Sequence, residues 1–137
     1  MILRELGRAD LPAVRALWAQ CAGLGDGPGD STEALERFLA RNPGFSPAAL
    51  DDEVLVGVAL CGHDGRRGFL YRVAVAPSHR RRGIARALAA RAFDALHAAG
   101  IARGMMFVLA DNEEARAFWQ SVDAKRRETL ELWSVDL

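Results

Sequence analysis

The chain has 137 residues, of which 50% are hydrophobic and 26% charged, enough apolar material for the core of one ordinary domain. Lysine plus arginine and aspartate plus glutamate both number 18, so the formal net charge is zero. This balance argues against a general nucleic-acid-binding or membrane-surface protein, which usually carries a basic excess. No apolar run approaches the roughly 18 residues of a membrane span, and the first residues lack the pattern of a signal peptide.

The two cysteines, Cys21 and Cys61, have no spacing that is typical of a metal site or a disulfide framework. We expect both to be small buried hydrophobic residues in a reducing compartment. The sequence therefore predicts one cytoplasmic domain over residues 1–137, with no bound metal.

The first third of the chain predicts a strand followed by two helices. A short apolar run over 2–6 indicates the strand, and Asp10 then caps a helix with one apolar face. A turn-rich loop over 23–29 follows. Asp30 with Glu33 resembles a capping box, which predicts the start of the second helix.

The middle of the chain predicts three consecutive strands joined by tight turns. Residues 45–50 favour a weak strand, and Pro47 indicates that it is short or lies at a sheet edge. Residues 54–61 are rich in β-branched and aliphatic side chains, as is typical of a strand. An Asp-Gly hairpin signal within 63–68 leads into the next strand, 69–76.

The last third predicts two helices and two strands in alternation. The first helix begins after Gly83, and the continuous apolar run 105–109 fits a strand that is buried on both faces. Asp111 or Asn112 caps the second helix, and an alternating run over 129–135 predicts a closing strand. The full order β-α-α-β-β-β-α-β-α-β predicts a single α+β domain with a mixed sheet.

The stretch from 73 to 88 carries the strongest functional signal. It predicts a strand, a turn at Pro77, a cationic loop and the first turn of a helix. The unpaired N–H groups at a helix N-terminus favour anions, and the arginines at 80–82 can pair with phosphate in bidentate fashion. Gly83 lets the backbone approach a ligand without a Cβ. We therefore predict a site for a phosphate-bearing ligand at the strand end.

Two motifs, in this order and at this separation, resemble those of the GNAT superfamily of acyl-CoA-dependent N-acetyltransferases. The first is the family's phosphate loop, which here is Arg-Arg-Arg-Gly-Ile-Ala over residues 80–85. The second is the Asn-x-x-Ala-x-x-Phe pattern over residues 112–118. The resemblance spans nearly the whole chain. The chain also resembles a subgroup of small bacterial acetyltransferases. It implies a GNAT-like α+β fold, with a mixed, mostly antiparallel central sheet, splayed parallel strands and about four flanking helices.

The resemblance implies that acetyl-CoA (coenzyme A) binds at both motifs. Backbone amides of 81–86 would grip its pyrophosphate, the backbone of 73–75 would hydrogen-bond the pantetheine arm like an added strand, and Asn112 would contact that arm from the other side. The parallel strands 69–76 and 103–109 would splay apart to admit it. The cofactor-binding residues implied in this way are Val73, Ala74, Val75, Arg80, Arg81, Arg82, Gly83, Ile84, Ala85, Arg86, Asn112 and Phe118.

Each of these features has a plainer explanation when it is taken alone. Val73 and Val75 fit an ordinary core, Asn112 fits a helix cap, and a run of arginines is typical of a solvated surface. Only their combination favours a cofactor site.

The residues that the family uses for acid–base chemistry are missing from their usual positions. Phe69 stands where relatives that acetylate ribosomal-protein N-termini often have a glutamate base. Trp119 replaces the general-acid tyrosine, and its indole N–H donates a hydrogen bond but is no acid near neutral pH. Tyr71, on the strand that should line the cleft, is the candidate catalytic residue, with a half-buried structural tyrosine as the alternative. Asp123 stands where relatives usually have a helix-ending glycine.

The acceptor pocket is expected beside the 23–33 loop and the second helix. The candidate substrate-binding residues are Trp18, Asp30 and Tyr71. This region carries more acidic than basic residues, which favours a cationic amine as the acceptor.

The predicted function is transfer of an acetyl group from acetyl-CoA to an amine, by direct attack in a ternary complex. The amine is a small molecule or the N-terminus of a peptide or protein. The alternative is a catalytically weak or inactive CoA-binding module that acts as a sensor or partner subunit. The family resemblance also implies a possible homodimer, and we expect no nucleic-acid or membrane partner.

Overall fold

The structure is a computed structural model that describes residues 1–21 and 25–137. The chain divides into two compact units, Met1–Phe107 and Val108–Leu137. The strands, all in the first unit, are β1 (Ile2–Glu5), β2 (Pro47–Asp51), β3 (Val54–His63), β4 (Gly68–Val75) and β5 (Gly104–Met106). The helices are α1 (Leu11–Ala19), α2 (Thr32–Arg41) and α3 (Ile84–Ala98) in the first unit and α4 (Glu113–Ser121) in the second.

The described strands form one sheet in the order β1-β2-β3-β4-β5. Neighbours are antiparallel except for β4 and β5, which are parallel. The predicted α+β fold with a mixed, mostly antiparallel sheet and four helices is therefore confirmed. The register of β3 against β4 shifts between Val58 and Leu60, and within this bulge Arg72 has a left-handed φ of 50°.

The parallel strands β4 and β5 pair over only three residues each. The β4–β5 pairing runs from Gly68 opposite Gly104 to Leu70 opposite Met106. There β5 ends, whereas β4 continues to Val75. The second half of β4 is therefore paired with β3 alone among the described strands, and its other backbone edge is open.

Helix α3 packs against β2, β3 and β4. Its buried side chains include Ile84, Leu88, Ala92 and Leu96, as the helical spacing predicts. Glycines in the sheet allow a close approach, because a Cβ at Gly68 would lie 2.5 Å from Cδ1 of Leu96. Helix α1 contacts β3 and β4 and buries Val14, Leu17 and Trp18.

The second strand is short, with five residues, but it does not lie at a sheet edge, the other placement that Pro47 indicated. Strand β2 lies between β1 and β3. Pro47 is tolerated because it is the first residue of the strand, opposite the last residue of β1, Glu5. The edge is formed by β1 instead.

The predicted cap of the second helix is displaced by one residue. Ser31 is the N-cap of α2, and its Oγ accepts a hydrogen bond from the N–H of Ala34 at 3.1 Å. The Asp30 carboxylate accepts the N–H of Gly27 at 2.8 Å instead. Of the predicted loop 23–29, residues 23 and 24 lie outside the described residues.

The predicted strand over 105–109 is present only in part, and its predicted burial on both faces was wrong. Strand β5 has three residues, its two methionines are half-buried, and Phe107 and Leu109 are exposed. The physical reason is that β5 pairs with β4 over only three residues. The apolar residues 107–109 that follow have no neighbouring strand among the described residues.

The second unit contains α4 and an extended tail. The Asn112 side chain caps the helix by accepting the N–H of Ala115 at 2.9 Å, as predicted. Asp123 follows the helix with a φ of 66°. The predicted closing strand over 129–135 was wrong, because no described strand pairs with it and its larger apolar side chains are exposed. In the described part of the chain, no helix is long and apolar enough to cross a membrane.

Candidate active site

The open edge of β4 is the first part of the candidate site. The N–H of Ala76 donates to the carbonyl of Val56, so Ala76 points its N–H towards β3. Because these directions alternate along a strand, the backbone groups of Val75 point to the open side. There the Val75 carbonyl accepts from Nε of Arg80 at 3.3 Å and from Sγ of Cys21 at 3.7 Å. Val73 and Val75 are half-exposed, in keeping with an edge rather than a closed core.

The loop between β4 and α3 is the second part. A 3₁₀ turn over Pro77–His79 leads to Arg80 with a φ of −69°. Arg81 then has a φ of 62°, and Gly83, the N-cap of α3, has a φ of 78°. Left-handed residues in a loop can turn neighbouring N–H groups into a concavity that binds anions, and here two such residues lie two positions apart.

The start of α3 adds its own N–H groups to this concavity. Ala87 donates to the Gly83 carbonyl at 3.0 Å, and a helix leaves the N–H groups ahead of that first bond without an intrahelical acceptor. A Cβ at Gly83 would meet no atom within 4 Å, so space stands open there. Arg80, Arg81 and Arg82 are exposed around it. These residues fit a pyrophosphate group.

A hydrogen-bonded pair that the sequence did not reveal anchors the start of this loop. Nε2 of His79 lies 2.8 Å from Oδ2 of Asp51, and Nδ1 lies 2.7 Å from Oγ of Ser78. The hydrogen bond from His79 is the main reason that the pKa of the Asp51 carboxyl is lowered. The phosphate loop is therefore tied to the turn between β2 and β3, a contact that no local pattern signals.

Arg72 joins β4 to residues 25–31, which lie in the loop expected beside the acceptor and which we call the acceptor-side segment. Its Nη1 lies 2.9 Å from Oδ2 of Asp30 and donates to the Gly25 carbonyl at 3.3 Å. Its Cζ lies 3.9 Å from the ring centroid of Trp18. The side chain of Arg72 is only 13% exposed and that of Asp30 is 23% exposed. We call the three residues Arg72, Asp30 and Trp18 the Arg72 clasp.

The charge of the acceptor-side segment is more balanced than its own sequence indicates. Asp26 lies 3.7 Å from Arg15 and 4.0 Å from Arg72, and Arg15 also donates to the backbone carbonyl of Asp30. Asp26 and Asp30, two of the residues expected to form an acidic surface, are therefore paired with basic side chains from α1 and β4. Only contacts between residues distant in sequence could show this.

Tyr71 lies at the centre of a cluster of aromatic rings. Its ring centroid is 5.9 Å from that of Phe69, 5.8 Å from that of Phe107 and 6.2 Å from that of Phe38. Partial burial raises the pKa of the Tyr71 hydroxyl, which makes it a poorer base at neutral pH. We call the four residues Phe38, Phe69, Tyr71 and Phe107 the aromatic panel.

The other predicted site residues have these positions. Trp18 is only 3% exposed, and its Nε1 has no hydrogen-bond partner among the described residues. Ile84 is buried in the first turn of α3, and Ala85 beside it is half-buried. In the second unit Asn112 caps α4, and Phe118 is half-exposed with its ring 4.9 Å from that of Trp119. The role of Trp18 in substrate binding, and the roles of the other four residues in cofactor binding, stay predictions.

Comparison with known proteins identifies the family. Residues 11–123 match the acetyltransferase (GNAT) family. An acetyltransferase of Yersinia enterocolitica is 31% identical over 133 residues, which cover 96% of this chain and 93% of that protein. An acetyltransferase of Photorhabdus laumondii is 38% identical over 114 residues, which cover 82% of this chain and 78% of that protein.

A solved structure supports the fold. The PaiA N-acetyltransferase of Thermoplasma acidophilum, in complex with coenzyme A, aligns with a TM-score of 0.76 over 88% of this chain and 87% of its own. The two sequences are 18% identical, so the likeness concerns the fold. Together with the family match and the two relatives, the open edge of β4 and the left-handed loop confirm the predicted resemblance. The chain belongs to the GNAT acetyltransferase family, and it transfers an acetyl group from acetyl-CoA to an amine.

Proposed function

We propose that the first unit holds acetyl-CoA along β4, with the pyrophosphate at 81–86 and the pantetheine arm along 73–75. The observation that carries this proposal is that the open edge of β4 is continuous with the left-handed turn of the loop before α3. The edge of β4 opens where β5 ends, and it leads directly into the left-handed turn at Arg81 and Gly83. An extended amide-bearing arm that ends in a phosphate matches both.

The backbone of the chain supplies most of this recognition. An added strand receives hydrogen bonds from Val73 and Val75, and the carbonyl of Val75 exchanges its contact with Arg80 for one with the arm. Arg80 is then released towards the phosphates, beside Arg81 and Arg82. For Asn112 and Phe118, a contact with the same donor rests on the family motif alone.

The bound donor would supply an activated acetyl thioester. Direct attack of the amine in a ternary complex would form the C–N bond and break the C–S bond, and the proton lost from nitrogen would end on the departing CoA thiolate. The amine must be neutral to attack. A lysine-like amine with a pKa of about 10.4 costs about 4.6 kcal/mol to neutralise at pH 7, whereas an α-amine near 7.8 costs about 1 kcal/mol. An acceptor with a low pKa therefore suits a chain whose sequence has Phe69 and Trp119 where the family usually has a base and an acid.

Tyr71 is the candidate for the remaining proton chemistry. It directly precedes the bulge at Arg72, and its ring lies 5.8 Å from that of Phe107, at the end of β5. With a raised pKa it stays protonated at neutral pH, so it can donate a hydrogen bond but not abstract a proton. We assign it the role of a donor towards the departing thiolate or a bridging water.

Single-turnover measurement of acetyl transfer from acetyl-CoA to primary amines tests the proposed function. We expect product with the wild type, and a lower kcat with an unchanged KM for acetyl-CoA in Tyr71→Phe. If Tyr71→Phe retains the wild-type rate and pH profile, Tyr71 has no role in proton transfer. If CoA binds but no amine is acetylated, the alternative of an inactive CoA-binding module is correct.

The single domain over 1–137, the homodimer, the lack of a nucleic-acid partner and the cytoplasmic location stay predictions. Among the described residues, no three His, Cys, Asp or Glu side chains are grouped to hold a metal ion.

A further inference from the structure

We infer that the acceptor carries an aromatic or similarly flat apolar group close to its amine, and that this group binds against the aromatic panel. The inference rests on the proposed function, which places acetyl transfer at the open end of β4. It concerns the substrate class of that same site.

The geometry of the panel provides a ready surface for a ring. Phe69 and Tyr71 stack with an interplanar angle of 10°, and Phe107 is inclined to them by 21° and 31°. Phe38 of α2 meets Tyr71 edge-on at 77°. Three nearly parallel rings with an edge-on fourth present both of the arrangements that aromatic pairs prefer.

The panel lies where the chemistry is proposed. Phe69 and Tyr71 belong to β4, and Tyr71 immediately precedes the bulge. Phe107 is the first residue after β5, at the point where the two parallel strands cease to pair. All four rings are at least partly accessible, and Phe107 is 51% exposed. A group stacked here would hold its amine beside the open edge.

The charges beside the panel do not favour a polycation. The carboxylates of Asp26 and Asp30 are paired with Arg15 and Arg72. These two carboxylates therefore already have cationic partners. The recognition surface that we infer is the apolar rings of the panel rather than free acidic groups of this loop.

The same rings explain how transfer proceeds without a glutamate at position 69. Removal of water from a primary ammonium disfavours its charged form, so its pKa falls on binding. An aromatic surface in place of a base therefore supplies the neutral amine by desolvation, and the released proton goes to solvent. This route serves an apolar amine better than one that retains its hydration.

The test compares primary amines under identical conditions, with release of the CoA thiol as the readout. The acceptors are 2-phenylethylamine, n-propylamine and putrescine. We expect kcat/KM to be highest for 2-phenylethylamine, by about tenfold over n-propylamine. Equal values for the first two amines, or a preference for putrescine, would overturn the inference while leaving the acetyltransferase activity in place. No transfer to any amine would overturn both.

Substitutions in the aromatic panel test whether its rings cause the preference for an aromatic amine. Phe107→Leu and Phe38→Leu keep an apolar side chain but remove a ring, and we expect each to lower kcat/KM for 2-phenylethylamine severalfold with no change in KM for acetyl-CoA. Phe45→Leu is the matched control, because Phe45 is half-exposed in the same unit and its ring partner is His63. An equal loss in Phe45→Leu, or no loss in either panel variant, would contradict the assignment.

Discussion

Gly57 in β3 lies so close to Ile84 in α3 that a Cβ at position 57 would come within 2.9 Å of Cγ2 of Ile84. It would also lie 3.1 Å from Cδ1 of Leu88. Ile84 is the first residue of α3 and is buried, so this contact fixes the start of the helix against the sheet. The position of the phosphate loop, which ends at Gly83, therefore depends on the missing side chain of Gly57.

We predict that Gly57→Ala destabilises the protein by about 1–3 kcal/mol, because the added methyl group overpacks the contact with α3. The affinity for CoA should fall as well, since the N-terminus of α3 must shift. Urea unfolding and a CoA titration measure the two effects. Gly104→Ala is the control, because its Cβ would make an ordinary 3.4 Å contact with Phe93. Equal effects of the two substitutions would refute this explanation.

The pair of Asp51 and His79 gives a prediction for pH. The pKa of Asp51 is lowered in the folded protein, chiefly by the hydrogen bond from His79. Its contribution to stability is therefore present above the ordinary carboxyl pKa of about 3.9 and is lost as the pH falls through the lower folded value. We expect Asp51→Asn to lower Tm at pH 7, and to lower it by less at pH 3, where the carboxyl is being protonated.

The neighbouring Asp52→Asn is the control for this experiment, because Asp52 is exposed in the same turn. It should leave Tm nearly unchanged at both pH values. A Tm difference between the wild type and Asp51→Asn that stays constant on acidification would show that the pair does not act through the charge of Asp51.

The Arg72 clasp should contribute more to stability than a more exposed ion pair of similar geometry. We predict that Arg72→Met costs about 2 kcal/mol, because it leaves Asp30 partly buried without its partner. Arg4→Met is the matched control. Arg4 binds Asp10 at 2.8 Å, but its side chain is 43% exposed, so the loss should be at most about 1 kcal/mol.

A double variant separates the pair energy from the packing of Arg72 on Trp18. Arg72→Met combined with Asp30→Asn should destabilise by less than the sum of the two single changes. Strict additivity in urea unfolding would mean that the ion pair contributes nothing measurable.

Asp123 is predicted to strain the end of α4. Its φ of 66° is a left-handed conformation that glycine adopts without a steric cost. Asp123→Gly should therefore stabilise the protein by up to about 1 kcal/mol. Asp94→Gly, in the interior of α3, should instead destabilise by about 1 kcal/mol. A loss of stability in both variants would mean that Asp123 is not strained.

The parts of the site that depend on neighbouring residues could be predicted from the sequence. The glycine at 83, the arginines before it and the helical spacing after it together indicate a helix that starts at an anion site. Asn112 as a cap follows from the same short-range rules. The rule for proline in strands was less informative. The sequence does not show that Pro47 is the first residue of its strand, where proline is tolerated away from a sheet edge.

The contacts that tie the site together join residues far apart in the chain. Neither Asp51 with His79 nor Arg72 with Asp30 shares a motif or a helix face, so no spacing reveals them. The tail over 129–135 shows that an alternating pattern alone does not predict a strand. Its alternating pattern is compatible with a strand, but a strand forms only where another backbone provides a ladder.

The most direct test of the proposed acetyl-CoA site is thermal unfolding with and without CoA, for the wild type, Gly83→Ala and Gly100→Ala. Both glycines are left-handed, with φ values of 78° and 82°, and a Cβ at either would meet nothing within 4 Å. Both substitutions should therefore cost a similar strain. We predict that CoA at 100-fold excess over its Kd stabilises the wild type and Gly100→Ala by about 2.7 kcal/mol, and Gly83→Ala by clearly less. Equal stabilisation of all three proteins, or none of the wild type, would contradict the site.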